Sequence, residues 1–315
     1  VTLQIFRNRD ADEMANEQDA FDRLLSRNDI GLRTPASQAE IVAIEKHYGA
    51  TLPEPLVKFW RMSGGVELST LHADIPGPTE IREVEGPGAQ WLVYRGFLPI
   101  FDDHESNYLA VLVRQPLAFR VSYLPHDDGS RLIYRDLDGF AHAVINALDR
   151  GKAEFHKVEG DYPPDSFRPA SDQAAARELL ATNGDKEEWN YAIQLLDASN
   201  LTEWERVLET DHFIRRDAVA RMRQMTEPAV RDLLRRDEQA FEEFVAAVAA
   251  AARATGLQVG KRTDTAMEIE GRGINIDVFF YRRRIENALP RLIDWVKDLR
   301  AGRDPHERPG HFFLD

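Results

Sequence analysis

The stretch Ile41-Val42-Ala43-Ile44-Glu45-Lys46-His47-Tyr48-Gly49-Ala50-Thr51-Leu52-Pro53-Glu54-Pro55-Leu56-Val57-Lys58-Phe59-Trp60-Arg61-Met62-Ser63-Gly64-Gly65 decides the fold. Ile41, Ile44 and Tyr48 recur at helical spacing, and Ser37 stands three residues before Glu40, as a capping box requires. Gly49 stops that helix. Leu52-Pro53-Glu54-Pro55 makes a rigid corner, and Pro55 fits the first turn of a second helix carrying Leu56, Phe59 and Trp60. Gly64-Gly65 ends it with backbone angles barred to other residues. Leu52, Leu56 and Phe59 are expected to pack under the helix that supplies Ile41 and Ile44.

Towards the amino end, a β-prone opening at Thr2 to Phe6 precedes a helix expected over Asp12 to Arg27, with Met14, Phe21, Leu24 and Leu25 on one face. Beyond Gly65, strands are expected at Val66 to Leu71, Trp91 to Phe101, Tyr108 to Val113, Phe119 to Leu124 and Arg131 to Tyr134. Pro, Gly and Asp turn signals separate them, so they read as an antiparallel meander. Asp136 or Asp138 caps a further helix with Phe140, Val144, Ile145 and Leu148 as its apolar stripe and Gly151 past its end.

At Tyr162-Pro163-Pro164-Asp165 the proline density is that of a linker, and the apolar period changes from two to 3.6. The expected organisation is an α+β domain over 1–160, a linker over 161–170 and a helical segment over 171–237. A helix, three-strand, helix unit follows over 238–301, with an extended tail over 302–315. Short helices are read at Ser171 to Thr182, Lys186 to Ala198, Thr202 to Glu209, His212 to Met225 and Glu227 to Arg236. A longer one runs from Glu238 to Thr255. Three strands, Leu257 to Lys261, Ala266 to Glu270 and Ile274 to Tyr281, precede a last helix over Ile285 to Leu299. In the tail, Phe312-Phe313-Leu314 are expected to dock on the body.

The quoted stretch resembles the signature of the SUKH superfamily. In that family a helix ending in Glu, two or three residues and Gly is followed by Leu-Pro, a second helix and Asn-Gly-Gly. Here Ser63 replaces the usual asparagine, so that turn is expected to be held differently. Phe97-Leu98-Pro99-Ile100-Phe101-Asp102 resembles the family's strand leading to an acidic turn, and Leu137-Asp138-Gly139-Phe140 its terminal helix start. The resemblance spans residues 35 to 150. It implies an α+β fold with a curved antiparallel sheet backed by helices. It also implies membership of a group rich in bacterial immunity proteins, with fungal cell-wall regulators as relatives, and it carries no catalytic residues over.

Composition narrows the partners. The formal net charge of −14 repels a nucleic-acid backbone and favours encounter with a basic protein. No run approaches the ~20 apolar residues of a membrane-spanning helix. The absence of cysteine excludes disulfides and thiolate metal sites and fits a cytoplasmic protein. No nucleophile elbow, phosphate loop or dinucleotide fingerprint occurs, so neither a cofactor nor catalysis is expected.

Two acidic surfaces stand out. One is Glu80, Glu83 and Glu85 with Asp74, in the connection before Trp91; the other comprises the turns Asp102-Asp103-His104-Glu105 and His126-Asp127-Asp128. Imidazole beside carboxylate is a metal-ligand combination, and a hydrolytic metal site is the least favoured reading, because adjacent residues seldom bind one ion. Solvated turns are the plain reading of the second surface, which serves better as an acidic lip gripping Lys and Arg of a partner than as a metal site; the first is either a solvated surface loop or a contact loop ordered by a basic partner. The reading is an immunity-type protein that binds a cognate, basic toxin or effector and occludes its active site. A regulatory scaffold for cellular proteins is the alternative, and a homo-oligomer is compatible with either. The five tryptophans are read as core, and the runs Arg215-Arg216, Arg235-Arg236 and Arg282-Arg283-Arg284 as ion-pairing faces.

Overall fold

The computed structural model describes residues 20–81, 90–104, 107–125, 129–151, 170–181, 186–210, 212–254, 256–262, 266–271, 274–280, 294, 297 and 311–314. The opening at Thr2 to Phe6, the start of the first helix, the last helix at Ile285 to Leu299 apart from Asp294 and Lys297, which are helical, and the triple arginine lie outside the described residues. The chain divides into two compact units, Val1–Pro163 and Pro164–Asp315.

In the first unit, α1 (Ala20–Leu25), α2 (Gln38–Tyr48), α3 (Glu54–Met62) and α5 (Leu137–Arg150) accompany a seven-stranded sheet. The sheet comprises β1 (Gly31–Leu32), β2 (Val66–Leu68), β3 (Ala73–Ile75), β4 (Phe97–Asp102), β5 (Tyr108–Leu112), β6 (Val121–Leu124) and β7 (Arg131–Tyr134). Its spatial order is its sequence order and every pairing is antiparallel, so it is a meander throughout.

The quoted stretch folds as its residues require. Ser37 and Glu40 form a reciprocal capping box at the start of α2, and Gly49 closes that helix at φ 63°. Ile41, Ile44 and Tyr48 are buried, as are Leu56, Phe59 and Trp60 on α3. The Phe21 ring lies 4.8 Å from that of Phe59 and 6.4 Å from that of Phe140, which ties α1, α3 and α5 into one core. Tilted rings at such separations add to what area burial contributes. The Asp136 side chain accepts from the Gly139 N–H and caps α5.

At the Ser63 turn, the buried hydroxyl donates to the Gly65 carbonyl at 2.5 Å. That carbonyl also accepts from the Arg33 N–H at 3.1 Å. The turn therefore carries the β1 segment against the end of α3. Trp60 spans the same junction, its indole N–H donating to the Pro76 carbonyl at 3.2 Å.

Several expected elements differ. Trp91 to Arg95, read as strand from its β-prone aromatic and branched residues, is helical: α4 (Gln90–Arg95) precedes β4. Tertiary contacts override propensity there, since Leu92 is buried and both the Gly96 N–H and the Arg114 guanidinium donate to the Val93 carbonyl of its last turn. The strand read from Val66 stops at Leu68, giving way to a 3₁₀ turn at Ser69–Leu71. The connection before Trp91 contains β3, so it is not one long loop. Pro99 sits in a central strand at a register shift, where a missing N–H is tolerated.

The second unit opens with α6 (Ala170–Ala181), α7 (Lys186–Leu195), α8 (Leu201–Leu208), α9 (His212–Gln224) and α10 (Pro228–Ala254). The pair of helices read at Glu227 to Arg236 and Glu238 to Thr255 is the single helix α10 of 27 residues. The polar run at Arg235 to Glu238 interrupts the apolar stripe but contains no helix breaker, and its charges are paired: Arg235 with Asp232, Arg236 with Glu205, Asp237 with Arg215 and Glu238 with Arg223. The expected strands form β8 (Gln258–Arg262), β9 (Ala266–Gly271) and β10 (Ile274–Phe280). The tail adds a fourth, β11 (His311–Leu314), parallel to β10. No helix among the described residues is long and apolar enough to cross a membrane.

Candidate partner-binding site

Antiparallel register places Asp74 of β3 directly opposite Asp102 of β4. Two like charges in that position repel. The conflict is met by Arg33, just beyond β1, whose guanidinium bonds the Asp74 carboxylate at 3.0 Å and also pairs with Glu80. Glu80 accepts from the Gly77 N–H at 3.0 Å, so its position is fixed by backbone as well. His104 completes the corner, with its Nε2 3.4 Å from Asp74 and its Nδ1 3.8 Å from Asp102.

The turn after β4 is built by its own carboxylates. Asp102 accepts from the His104 N–H at 2.8 Å, which supports His104 in a left-handed conformation at φ 60°. Asp103 accepts from the backbone and side-chain N–H groups of Asn107 at 3.1 and 2.8 Å. These carboxylates hold the loop and still present charge: the side chains of Asp102, Asp74 and Glu80 are 16%, 20% and 30% exposed. Asp74, Glu80, Asp102 and Asp103 carry four negative charges against the single positive charge of Arg33, a local excess of three before His104 is counted.

The Tyr108 phenol reports the field of this corner. Burial pushes its pKa up, and the charges of Asp102 and Asp103 push it further. Replacing both aspartates with asparagine will bring the Tyr108 pKa partway back towards the ordinary tyrosine value, leaving the part due to burial. Tyrosine ring carbon shifts followed by NMR through alkaline pH will show it, and an unchanged midpoint would contradict the placement of both charges.

Of the sequence-predicted residues, Glu80, Asp102, Asp103 and His104 are thus brought together with Asp74. Glu83, Glu85, Glu105, Asp127 and Asp128 lie outside the described residues. The register Asp102↔Tyr108↔Leu124 puts the β6 end that leads into residues 126–128 at the same sheet end as Asp102. Arg33 was not legible as a site residue, because its partners are distant in sequence and nothing local marks it. Among the described residues, no group of three or more His, Asp or Glu is placed to hold a metal ion. Trp60, Trp189 and Trp204 are buried as read, whereas Trp91 is 44% exposed; Trp295 lies outside the described residues.

The helix, Leu-Pro corner, helix and meander together are the arrangement that the sequence signature implied. Residues 35–141 match the model of the SMI1 / KNR4 family (SUKH-1). The amino-terminal unit carries a SUKH-1 domain. No curated protein matches the chain. The match covers about a third of the 315 residues and ends within α5, so the acidic corner lies largely inside the SUKH-1 domain and the helices from α6 onward lie beyond it. Only Arg33 of that corner falls outside, two residues before the matched segment begins.

Proposed function

We propose that this protein is an immunity-type binder that neutralises a cognate bacterial toxin by occluding its active site, with no catalytic chemistry of its own. The observation that carries the reading is the acidic corner of the SUKH-1 sheet, where Arg33 holds the Asp74 and Glu80 carboxylates beside Asp102. A basic partner meets charge that is already positioned, so little ordering entropy is lost on contact. Charge of this kind governs encounter rate and choice of partner, while a desolvated centre supplies the lifetime of the complex. The SUKH-1 match over residues 35–141 supports a protein partner, and a cytoplasmic location would place the chain where a delivered toxin acts.

The test is capture from the native host with the full tagged chain. Recovery of a basic, secreted effector in a salt-sensitive complex, with the effector's activity suppressed, is the expected result. Recovery only of housekeeping assemblies, with no toxin, would overturn the immunity reading in favour of a regulatory scaffold.

A further inference from the structure

At the opposite end of β4 from Asp102, a groove of about 490 Å³ opens between the Gly49–Thr51 turn and the connection from β5 to β6. Gly49, Thr51, Val113, Arg114, Gln115 and Phe119 contribute to its walls. Phe119 sits at φ 72°, a conformation that a bulky side chain rarely adopts. The turn is nevertheless pinned, with the Phe119 N–H donating to the Leu112 carbonyl at 2.6 Å and the Leu112 N–H to the Arg120 carbonyl at 2.8 Å. The consequence is an aromatic ring left 42% exposed. Strain kept in order to expose an apolar group points to use rather than to packing.

Arg114 joins this groove to α4. Its side chain passes over Gly96 and donates to the Val93 carbonyl at 3.2 Å, beside a helix whose Trp91 and Tyr94 are 44% and 78% exposed. Arg114 is the one charged residue among those lining the groove, and among the described residues no carboxylate pairs with it. Arg27, Arg33, Arg215 and Arg262 all pair with carboxylates. On a chain of net charge −14, the lining of this groove therefore carries a cation and no acid, next to exposed aromatic rings.

We propose that the groove is a second docking surface, which takes an extended acidic peptide segment of a partner protein, with an apolar side chain against Phe119 and a carboxylate on Arg114. Charge complementarity selects this occupant: carboxylates are repelled by most of the surface and attracted here. Exposed Trp, Tyr and Arg are the residue types that dominate interface energies. A nucleic-acid backbone needs several cations along its track, and this groove supplies one among its lining residues.

The probe is a fluorescein-labelled eight-residue peptide alternating Glu and Phe, compared with the same peptide carrying Lys for Glu or Ser for Phe. Anisotropy titrations use the full chain and its Arg114→Glu and Phe119→Gly variants. Glycine accepts the left-handed turn, so the ring is removed without unfolding the connection, and far-UV circular dichroism confirms the fold. The acidic aromatic peptide should bind in the micromolar range, with each control peptide and each variant weaker by about tenfold or more. Absence of binding at millimolar peptide, equal binding of the Lys peptide, tighter binding of a thymidine oligonucleotide, or full affinity in the folded variants would each overturn the proposal.

Discussion

Replacing Gly77 with alanine is expected to destabilise the amino-terminal unit by about 3 kcal/mol, the upper end of what overpacking a close-packed site costs. A Cβ at Gly77 would overlap the carbonyl oxygen of Gly64, and one at Gly64 would overlap that of Thr34. Backbone cannot yield as a side-chain end can, so in Gly77→Ala the Ser63 turn and the segment after β3 would have to separate. The same junction holds Trp60, fully buried and bonded to Pro76, so the strain reaches the core. Gly49 provides the comparison. A Cβ there meets nothing within 4 Å, and only the left-handed φ of 63° opposes it, so Gly49→Ala should cost about 1 kcal/mol. Urea unfolding of both variants checks the contrast. Equal, small losses would mean that the glycines around Ser63 do not clamp the segments together.

The second large effect concerns association with the proposed toxin partner. Changing Asp74, Asp102 and Asp103 together to asparagine removes three negative charges while keeping an oxygen on each side chain to accept the bonds from His104 and Asn107. Arg33 keeps Glu80 as its carboxylate partner, so no cation is left unpaired and the fold should persist. The association rate at low salt should fall by about tenfold, and its dependence on salt should flatten, because long-range attraction to a basic partner is what the substitutions remove. The dissociation rate should change less. Stopped-flow or surface-based kinetics across a salt series reads all three quantities. An unchanged association rate in a folded variant would take the acidic corner out of the contact surface.

How much of this was legible in the sequence depended on how local each cause is. The capping box at Ser37 and Glu40, the Leu-Pro corner and the glycine stop at Gly49 act within a few residues, so spacing alone reveals them. The meander was legible for a similar reason, since consecutive strands separated by turn signals pair with their neighbours. Trp91 to Arg95 was not, because its helical state rests on Leu92 burial and on an arginine 21 residues away. Strand β11 was missed as a strand because it pairs with a segment more than thirty residues earlier, and short apolar tails carry no sign of register. At the candidate site, the carboxylates could be seen as a composition, but Arg33, which turns opposed aspartates into a fixed corner, could not. Its three partners, Asp74, Glu80 and the Gly65 carbonyl, all come from elements that meet only when the sheet forms.

The central claim is that the acidic end of the SUKH-1 sheet seats the toxin and closes its active site. Amide hydrogen exchange of the full chain, free and saturated with the captured toxin, tests it most directly. The account predicts slowed exchange across β3, the end of β4 and the turn that carries Asp103, with toxin turnover abolished in the same sample. Protection confined to residues 164–315, or a saturated complex that still turns over substrate, would contradict it.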